Sequence, residues 1–247
     1  MGVLKTLTDE YFGTSIRKED EIDIDDLYVE IVSFTDKNGI EHRHGYRVKD
    51  DNPNKMVKTL KKLIERIIEK RGNECSLNDI DVSNITQMWI MGRDGYPDGI
   101  FEESDFNGDI SGWDVSNVES MDSMFVLSGF TGEHGIFKLE KGNKVEDMYK
   151  MFYQSCFNGD LSKWDIQNVT NMELMFAESS FTGKNGIFKL EKGNKIIRMW
   201  HMFTKSDFEG DINDWVVNND CSLINMFALT PLERKGNLPK WYLKRTK

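Results

Sequence analysis

The sequence predicts an α/β fold, a solenoid of about six short strand–helix units preceded by an N-terminal ββα cap. Three observations lead to this prediction. A ten-residue motif recurs at a spacing of 51 residues, and apolar residues follow each copy at helical spacing. The segment 1–74 contains no repeat but holds two β-rich runs and one amphipathic stretch.

The N-terminal segment has the pattern of a hairpin followed by a helix. Residues 27–34 and 40–48 are β-rich, and Asn38-Gly39 between them is a strong hairpin signal. Pro53 then opens an amphipathic run that Gly72 closes, as expected of a single helix. The simplest role of this segment is to cover the first edge of the repeat array, and the alternative is a second binding module.

The repeat is explicit in the sequence. Phe106-Asn-Gly-Asp-Ile-Ser-Gly-Trp113-Asp-Val returns at residues 157–166 and 208–217, each time 51 residues later. Between these copies, the run at 130–143 reappears almost unchanged at 181–194. Each super-repeat therefore contains a shorter unit, such as 106–129, and a longer unit, such as 130–156. The longer unit carries a Lys-Gly-Asn insertion.

Every unit is predicted to be a turn, a short strand, a cap and a short helix. Trp113 and Val115 stand two positions apart, the spacing that places side chains on one face of a strand. Asn117 and its equivalents Asn84 and Asn168 occupy the expected helix N-cap position. The apolar residues that follow, at positions i, i+3, i+6 and i+7 from Val118, indicate about two helical turns. The run 236–241 predicts a last strand that caps the stack.

The motif Phe-Asn-Gly-Asp-Ile-Ser-x-Trp-Asp-Val-Ser-Asn-Val-x-x-Met-x-x-Met-Phe resembles the repeat of the BspA-like leucine-rich repeat family. The resemblance covers about two thirds of the chain and implies a leucine-rich-repeat-like solenoid used for protein binding, commonly in bacterial surface proteins and adhesins. The predicted division is an N-terminal module at 1–74, a solenoid at 75–242 and a basic tail at 243–247. A shared scaffold implies no particular chemistry.

Composition excludes several classes of function. The 247 residues carry 32 Lys and Arg against 42 Asp and Glu, so the net charge is −10, and no basic tract suits nucleic acid. Residues 76–232 hold 12 basic against 25 acidic side chains, a charge of −13. The start of the chain lacks the pattern of a signal peptide, and no apolar run is long enough to span a membrane. Three distant cysteines favour free thiols and a cytoplasmic location.

The candidate binding residues occupy one position of the repeat, directly after the first Met of each apolar stripe. This position is polar in two units and large or apolar in the others; its residues are Trp89, Asp122, Tyr149, Glu173, Trp200 and Ile224. Facing away from the centre of the stripe, it is expected to be at least half exposed, and Trp and Tyr on a surface are typical of binding hot spots. The alternative is that the Lys-Gly-Asn insertion folds over the rings and buries them.

Other polar patterns have simpler explanations. The repeated Asp109, Asp160 and Asp211 could line up as a calcium ladder, but the favoured interpretation is that Asn-Gly-Asp closes a turn. His42 and His44 share a strand face without a third ligand, so they predict exposed histidines rather than a metal site. No catalytic grouping, phosphate loop or cofactor motif can be assembled.

The sequence therefore predicts a non-enzymatic protein-binding protein without cofactors. One use is an intracellular inhibitor or effector, of the type carried by phages or mobile elements, whose acidic surface occupies a basic site on a target protein. The alternative is a cell-surface adhesin-like protein. Direct binding to nucleic acid or to a membrane is not expected.

Overall fold

The computed structural model describes residues 22–92 and 94–245. The sequence predictions for residues 1–21, including the lack of a signal peptide, fall outside these ranges, as do the last two residues of the basic tail. The described elements, in chain order, are β1 (Val29–Thr35), β2 (Glu41–Val48), α1 (Pro53–Arg71), β3 (Ile80–Asp81), β4 (Trp89–Met91), β5 (Pro97–Gly99), α2 (Pro231–Arg234) and α3 (Lys240–Arg245).

The predicted hairpin is present as β1 and β2, which pair in antiparallel fashion from Val29↔Val48 to Thr35↔Glu41, with a register shift between Val32 and Phe34. β2 also pairs in parallel with β3, through Tyr46↔Ile80 and Arg47↔Asp81, giving a three-stranded sheet in the order β1-β2-β3. The hairpin is therefore bonded directly to the first residues of the repeat region. β4 and β5 form a separate antiparallel pair.

Helix α1 has the start and end that its sequence predicts. The Asn52 side chain accepts a hydrogen bond of 3.1 Å from the Lys55 amide, and Pro53 occupies the first turn. Gly72 ends the helix with φ +86° and donates its N–H to the Ile68 carbonyl. One face of α1 is buried, and its apolar residues are Met56, Val57, Leu60, Leu63, Ile64 and Ile67.

The predicted fold class, a leucine-rich-repeat-like solenoid of strand–helix units, is wrong. The described residues form only three helices and two small sheets of short strands, and none of those helices lies between residues 72 and 230. Where helices were expected there are five runs of tight turns, called turn segments here, at 118–128, 145–155, 169–179, 196–206 and 220–230. They are joined by isolated parallel bridges such as Ser120↔Asp147 and Asp147↔Asn171.

The backbone explains why the apolar stripe is not helical. Ser123 and Leu127 have φ values of 55° and 54°, in the left-handed region that interrupts a right-handed helix. The Met124 N–H donates to the Met121 carbonyl at 3.3 Å, so each turn closes from residue i+3 back to residue i. A succession of such turns also places residues i and i+3 on one side, which is the spacing that predicted a helix.

Phenylalanines from successive turn segments stack on one another in the core. Phe125, Phe152 and Phe176 have ring centroids 5.3 and 5.6 Å apart with nearly parallel planes. A second stack passes through Phe130 and Phe157, whose centroids are 6.1 Å apart. All five rings are fully buried. The two stacks belong to one continuous core that also includes α1.

The predicted asparagine caps and short strands are also corrected. The amide of Asn117 donates to the Ser83 carbonyl at 2.8 Å and that of Asn168 to the Asn143 carbonyl at 2.6 Å, so these side chains bond the preceding unit instead of capping a helix. Trp113 lies outside any described strand, and its indole N–H donates to the Leu77 carbonyl at 2.8 Å. Trp241 lies on α3 rather than on a final strand.

Candidate functional site

The position after the first Met forms a continuous row across the five turn segments. We call it the turn row, and its members are Asp122, Tyr149, Glu173, Trp200 and Ile224. Backbone hydrogen bonds of 2.9 to 3.0 Å join neighbouring members of the row. In each bond, the residue that directly follows one member donates its N–H to the carbonyl of the next member. The four bonds are Ser123→Tyr149, Lys150→Glu173, Leu174→Trp200 and His201→Ile224. The row members therefore lie side by side in the order of their segments.

The end of the row nearest the C-terminus is apolar and exposed. Trp200 keeps 38% of its surface exposed, Ile224 keeps 57%, and neighbouring Ile197 keeps 41%. The Lys-Gly-Asn insertion does not bury Trp200, which is the alternative left open by the sequence. Instead, the amide of Asn194 in that insertion donates to the Val216 carbonyl at 2.9 Å and bonds the next unit.

The middle of the row combines an aromatic ring with charge. Tyr149 is half-buried, and the Lys150 ammonium lies 5.1 Å from its ring centroid and 5.5 Å from that of Tyr153. Glu173 is half-buried and lies on the segment between Tyr149 and Trp200. The row thus presents an aromatic ring, a carboxylate and a second aromatic ring on three successive segments.

Asp122 does not present its charge to solvent. Its side chain is buried, and the Ser123 hydroxyl donates to Oδ1 at 2.7 Å. Burial raises the pKa of Asp122 to about 6, the Ser123 hydrogen bond opposes that rise, and the nearby Asp147 carboxylate adds to it. Asp122 is therefore a structural residue with a titration close to neutral pH, and it does not fit the exposed recognition role expected from its sequence position.

Trp89 is held differently from the other aromatic residues at this position. It lies on β4 opposite Gly99 of β5 and is half-buried. Its indole N–H donates to the Ser120 hydroxyl at 2.8 Å, which fixes the ring against the next unit. The structure therefore aligns Tyr149, Glu173, Trp200 and Ile224 in one row and gives Trp89 an anchoring contact.

The surface also has exposed apolar residues at positions that the repeat pattern does not single out. Ile197, Leu127 and Leu229 are each more than 40% exposed. Ile197 stands where the equivalent residues are Glu146 and Thr170, so a polar-to-apolar change at a solvent-facing repeat position was the available signal. Leu127 and Leu229 are two of the left-handed residues, whose side chains the expected helix would have placed differently.

The repeated aspartates close turns, as the favoured interpretation predicts. Asp109 and Asp160 each accept from the amide two positions later at 2.8 Å, and Asp211 accepts from Asn213 at 3.0 Å. Within residues 22–92 and 94–245, no group of three His, Cys, Asp or Glu side chains could hold a metal ion. His44 is exposed, whereas His42 is half-buried and lies 3.0 Å from Asp36 Oδ2.

Comparison with known proteins identifies one family. Two overlapping segments, residues 58–184 and 138–241, match the family described as "Mycoplasma protein of unknown function, DUF285". Together they cover well over half of the 247 residues. No curated protein and no solved structure matches the chain. The resemblance to BspA-like repeats stays a prediction. Across the described part of the chain, no helix is long and apolar enough to cross a membrane.

Proposed function

We propose that the chain, which belongs to the DUF285 family, is a non-enzymatic protein-binding protein that recognises a basic surface of a partner through the turn row. The observation that carries the proposal is the alignment of Tyr149, Glu173, Trp200 and Ile224 on consecutive segments, with 38% of Trp200 and 57% of Ile224 exposed. Exposed aromatic and apolar side chains on a rigid surface are the usual anchors of protein interfaces.

The row is held firmly enough to act as a preformed surface. Backbone hydrogen bonds join its members, and the buried phenylalanine stacks lie beneath the same segments. A rigid surface loses little conformational entropy on binding, so more of the contact energy contributes to affinity.

Charge supports the choice of a basic partner. Residues 76–232 carry a charge of −13, with 12 basic and 25 acidic side chains. Exposed carboxylates such as Glu119, Glu146 and Glu191 extend the acidic surface around the segments. Such a field speeds association with positively charged surfaces and is weakened by salt.

An intracellular role as an inhibitor or effector is part of the proposal. Cys75, Cys156 and Cys221 are all free thiols, and Cys156 is exposed. Exposed free thiols are characteristic of proteins kept in a reducing compartment.

The test is a pull-down from cells of the native host, followed by binding measurements with the purified partner. The double variant Tyr149→Ala/Trp200→Ala removes both rings. Loss of one such anchor alone is worth about 2 kcal/mol, or about thirtyfold in affinity, so the double variant should bind at least about thirtyfold more weakly. Raising the salt concentration should weaken the wild-type complex.

The matched control is Tyr28→Ala/Tyr96→Ala, which removes two rings that are 67% and 68% exposed and lie outside the turn row. This control should bind the partner as the wild type does, and both double variants should keep the wild-type circular dichroism spectrum. A partner that binds the turn-row variant with unchanged affinity, or that presents an acidic surface, would contradict the proposal.

A further inference from the structure

The peptide groups of the turn segments form head-to-tail chains of hydrogen bonds. In the first chain, the Met121 N–H donates to the carbonyl of Asp147, and the next peptide N–H, that of Met148, donates to the Asn171 carbonyl. Met172 and Met199 continue the chain, which reaches the Ser222 carbonyl through bonds of 2.9 to 3.0 Å. Three parallel chains start from the amides of Ser123, Phe125 and Leu127.

All four chains point in the same direction. Every N–H in these chains points toward the last turn segment, 220–230, so the peptide dipoles add. The last turn segment therefore carries the positive pole, which in an α-helix lies at the N-terminus. Hydrogen bonds aligned in a chain also polarise one another. The amides of the last segment therefore point toward the end at which negative charge is favoured, and Tyr242 of α3 covers part of that end by packing edge-on against Phe227 at 4.9 Å between centroids.

The chain itself shows what chemistry satisfies this end. The fourth chain ends at the Leu229 N–H, which donates to the Glu233 carboxylate at 2.7 Å. The other three chains end at the amides of Leu223, Asn225 and Phe227, and none of these donates to a described residue. One of four equivalent donors thus already holds a carboxylate.

Leu223 and Asn225, whose amides are two of these three donors, help to line a cavity of about 410 Å³ together with Cys221, Ile224, Tyr242 and Arg245. The Arg245 guanidinium is fixed there by hydrogen bonds to the carbonyls of Asn218, Asn219 and Cys221. Residues 233–245 contain five Lys and Arg side chains and a single acid, Glu233. Among the lining residues Arg245 is the one that is charged, and Asp220 acts on the adjacent Cys221. The cavity therefore combines backbone donors, apolar walls and one guanidinium.

We infer that this cavity binds an extended, acidic segment of a partner protein. One peptide carbonyl or carboxylate of the segment would accept from Leu223 and another from Asn225, in the way that a sixth turn segment would. Apolar side chains of the segment would contact Leu223 and Ile224, and its negative charge would face Arg245. The cavity shares Ile224 with the turn row, but it differs in its chemistry from the proposed use of the row because it selects an acidic ligand and not a basic one.

The experiment uses the full chain labelled with ¹⁵N and two synthetic peptides, Ac-Gly-Glu-Leu-Glu-Gly-NH₂ and its analogue with Gln in place of both Glu residues. The acidic peptide should move the amide proton resonances of Leu223 and Asn225 downfield. The matched internal controls are Met199 and His201, whose amides already donate to Ser222 and Ile224. These two should move several times less, and the Gln peptide should bind about tenfold more weakly.

Variants separate the cavity from the basic segment 233–245. Asn225→Asp adds a negative charge to the cavity wall and should abolish binding of the acidic peptide. Asn237→Asp makes the same charge change at an exposed position of segment 233–245 outside the cavity and should leave binding within about twofold. Equal loss in both variants would show attraction to this segment alone and overturn the inference.

Other outcomes would also overturn it. These are the absence of any shift at Leu223 and Asn225, equal shifts produced by sodium acetate at the same carboxylate concentration, and shifts that depend on protein concentration in the absence of peptide. The last outcome would assign the cavity to a second copy of the chain.

Discussion

Replacing Asp122 by Asn tests whether a buried carboxyl in the turn row destabilises the protein at neutral pH. Its pKa is about 6 in the folded chain against 3.8 as the ordinary value. A folded-state pKa above the unfolded value means that the folded chain binds the proton more tightly. Stability is therefore unaffected below about pH 3.8, falls as pH rises from there to about 6, and stays lowered above that.

The magnitude follows from the same two values. Each tenfold difference in proton affinity is worth about 1.4 kcal/mol, so the cost at pH 7.5 is at most about 3 kcal/mol. Asn is neutral, and its Oδ1 can still accept from the Ser123 hydroxyl, which now bonds Asp122 Oδ1 at 2.7 Å. We expect Asp122→Asn to raise the free energy of unfolding by about 2 to 3 kcal/mol at pH 7.5 and by less than about 1 kcal/mol at pH 4.0.

The assay is urea denaturation at both pH values, followed by tryptophan fluorescence and by circular dichroism. The control is Asp160→Asn, an exposed carboxyl whose hydrogen bond to the Ser162 amide an Asn can retain. It should change stability by less than about 0.5 kcal/mol at either pH. If Asp122→Asn gave the same change at pH 7.5 and pH 4.0, or destabilised the protein at pH 7.5, the reasoning from burial would be refuted.

Substitutions at three further positions test the packing and one hydrogen bond between units. Phe152→Ala leaves a cavity inside a ring stack and should cost about 3 to 5 kcal/mol in urea denaturation, and a loss below about 1 kcal/mol would contradict the stack. Gly108→Ala would place its Cβ 1.8 Å from the Cys75 carbonyl oxygen, so the melting temperature should drop clearly, and an unchanged value would be inconsistent with that close approach. Asn168→Ala removes the 2.6 Å bond to Asn143 and should cost about 1 kcal/mol, whereas Asn168→Asp, which cannot donate, should be no better.

Burial of the core could be predicted because it depends only on periodicity. Trp113, Trp164 and Trp215 occupy the same position in three copies of the repeated motif. All three are buried, and their indole N–H groups donate to carbonyls of the preceding unit. Helix α1 was predictable because Pro53 and Gly72 mark its ends through local chemistry, to which the structure adds the N-cap Asn52. For the core and for helix α1, the residues that form the sequence pattern are the same residues that stabilise the structure.

The backbone of the turn segments could not be predicted, because two conformations share one apolar spacing. An α-helix and a succession of tight turns both bring Met121 and Met124 to the same side, and they differ in where the remaining amides donate. In a helix the Phe125 N–H would bond within its own segment, whereas here it bonds the Met151 carbonyl of the next one. Whether the segment forms a helix or tight turns depends on a neighbouring segment that is distant in the chain. It also depends on the left-handed backbone of Ser123, a conformation that the residue type Ser does not predict.

The backbone conformation of the turn segments, which the sequence does not show, also determines which candidate residues could be assigned a role. Trp200 is 38% exposed, so it reaches the surface but falls short of the half exposure that its position in the repeat predicts. Asp122 occupies the equivalent position yet is buried, because the first unit departs into β4 and β5 and brings Gly99 against the Ser123 backbone. The open amides of Leu223 and Asn225 carry no side-chain signal at all, since a backbone donor is visible only once its direction is known. The two proposed binding surfaces therefore differ in what a sequence can show, because the turn row depends on side-chain types and the cavity at Leu223 and Asn225 depends on the direction of peptide groups.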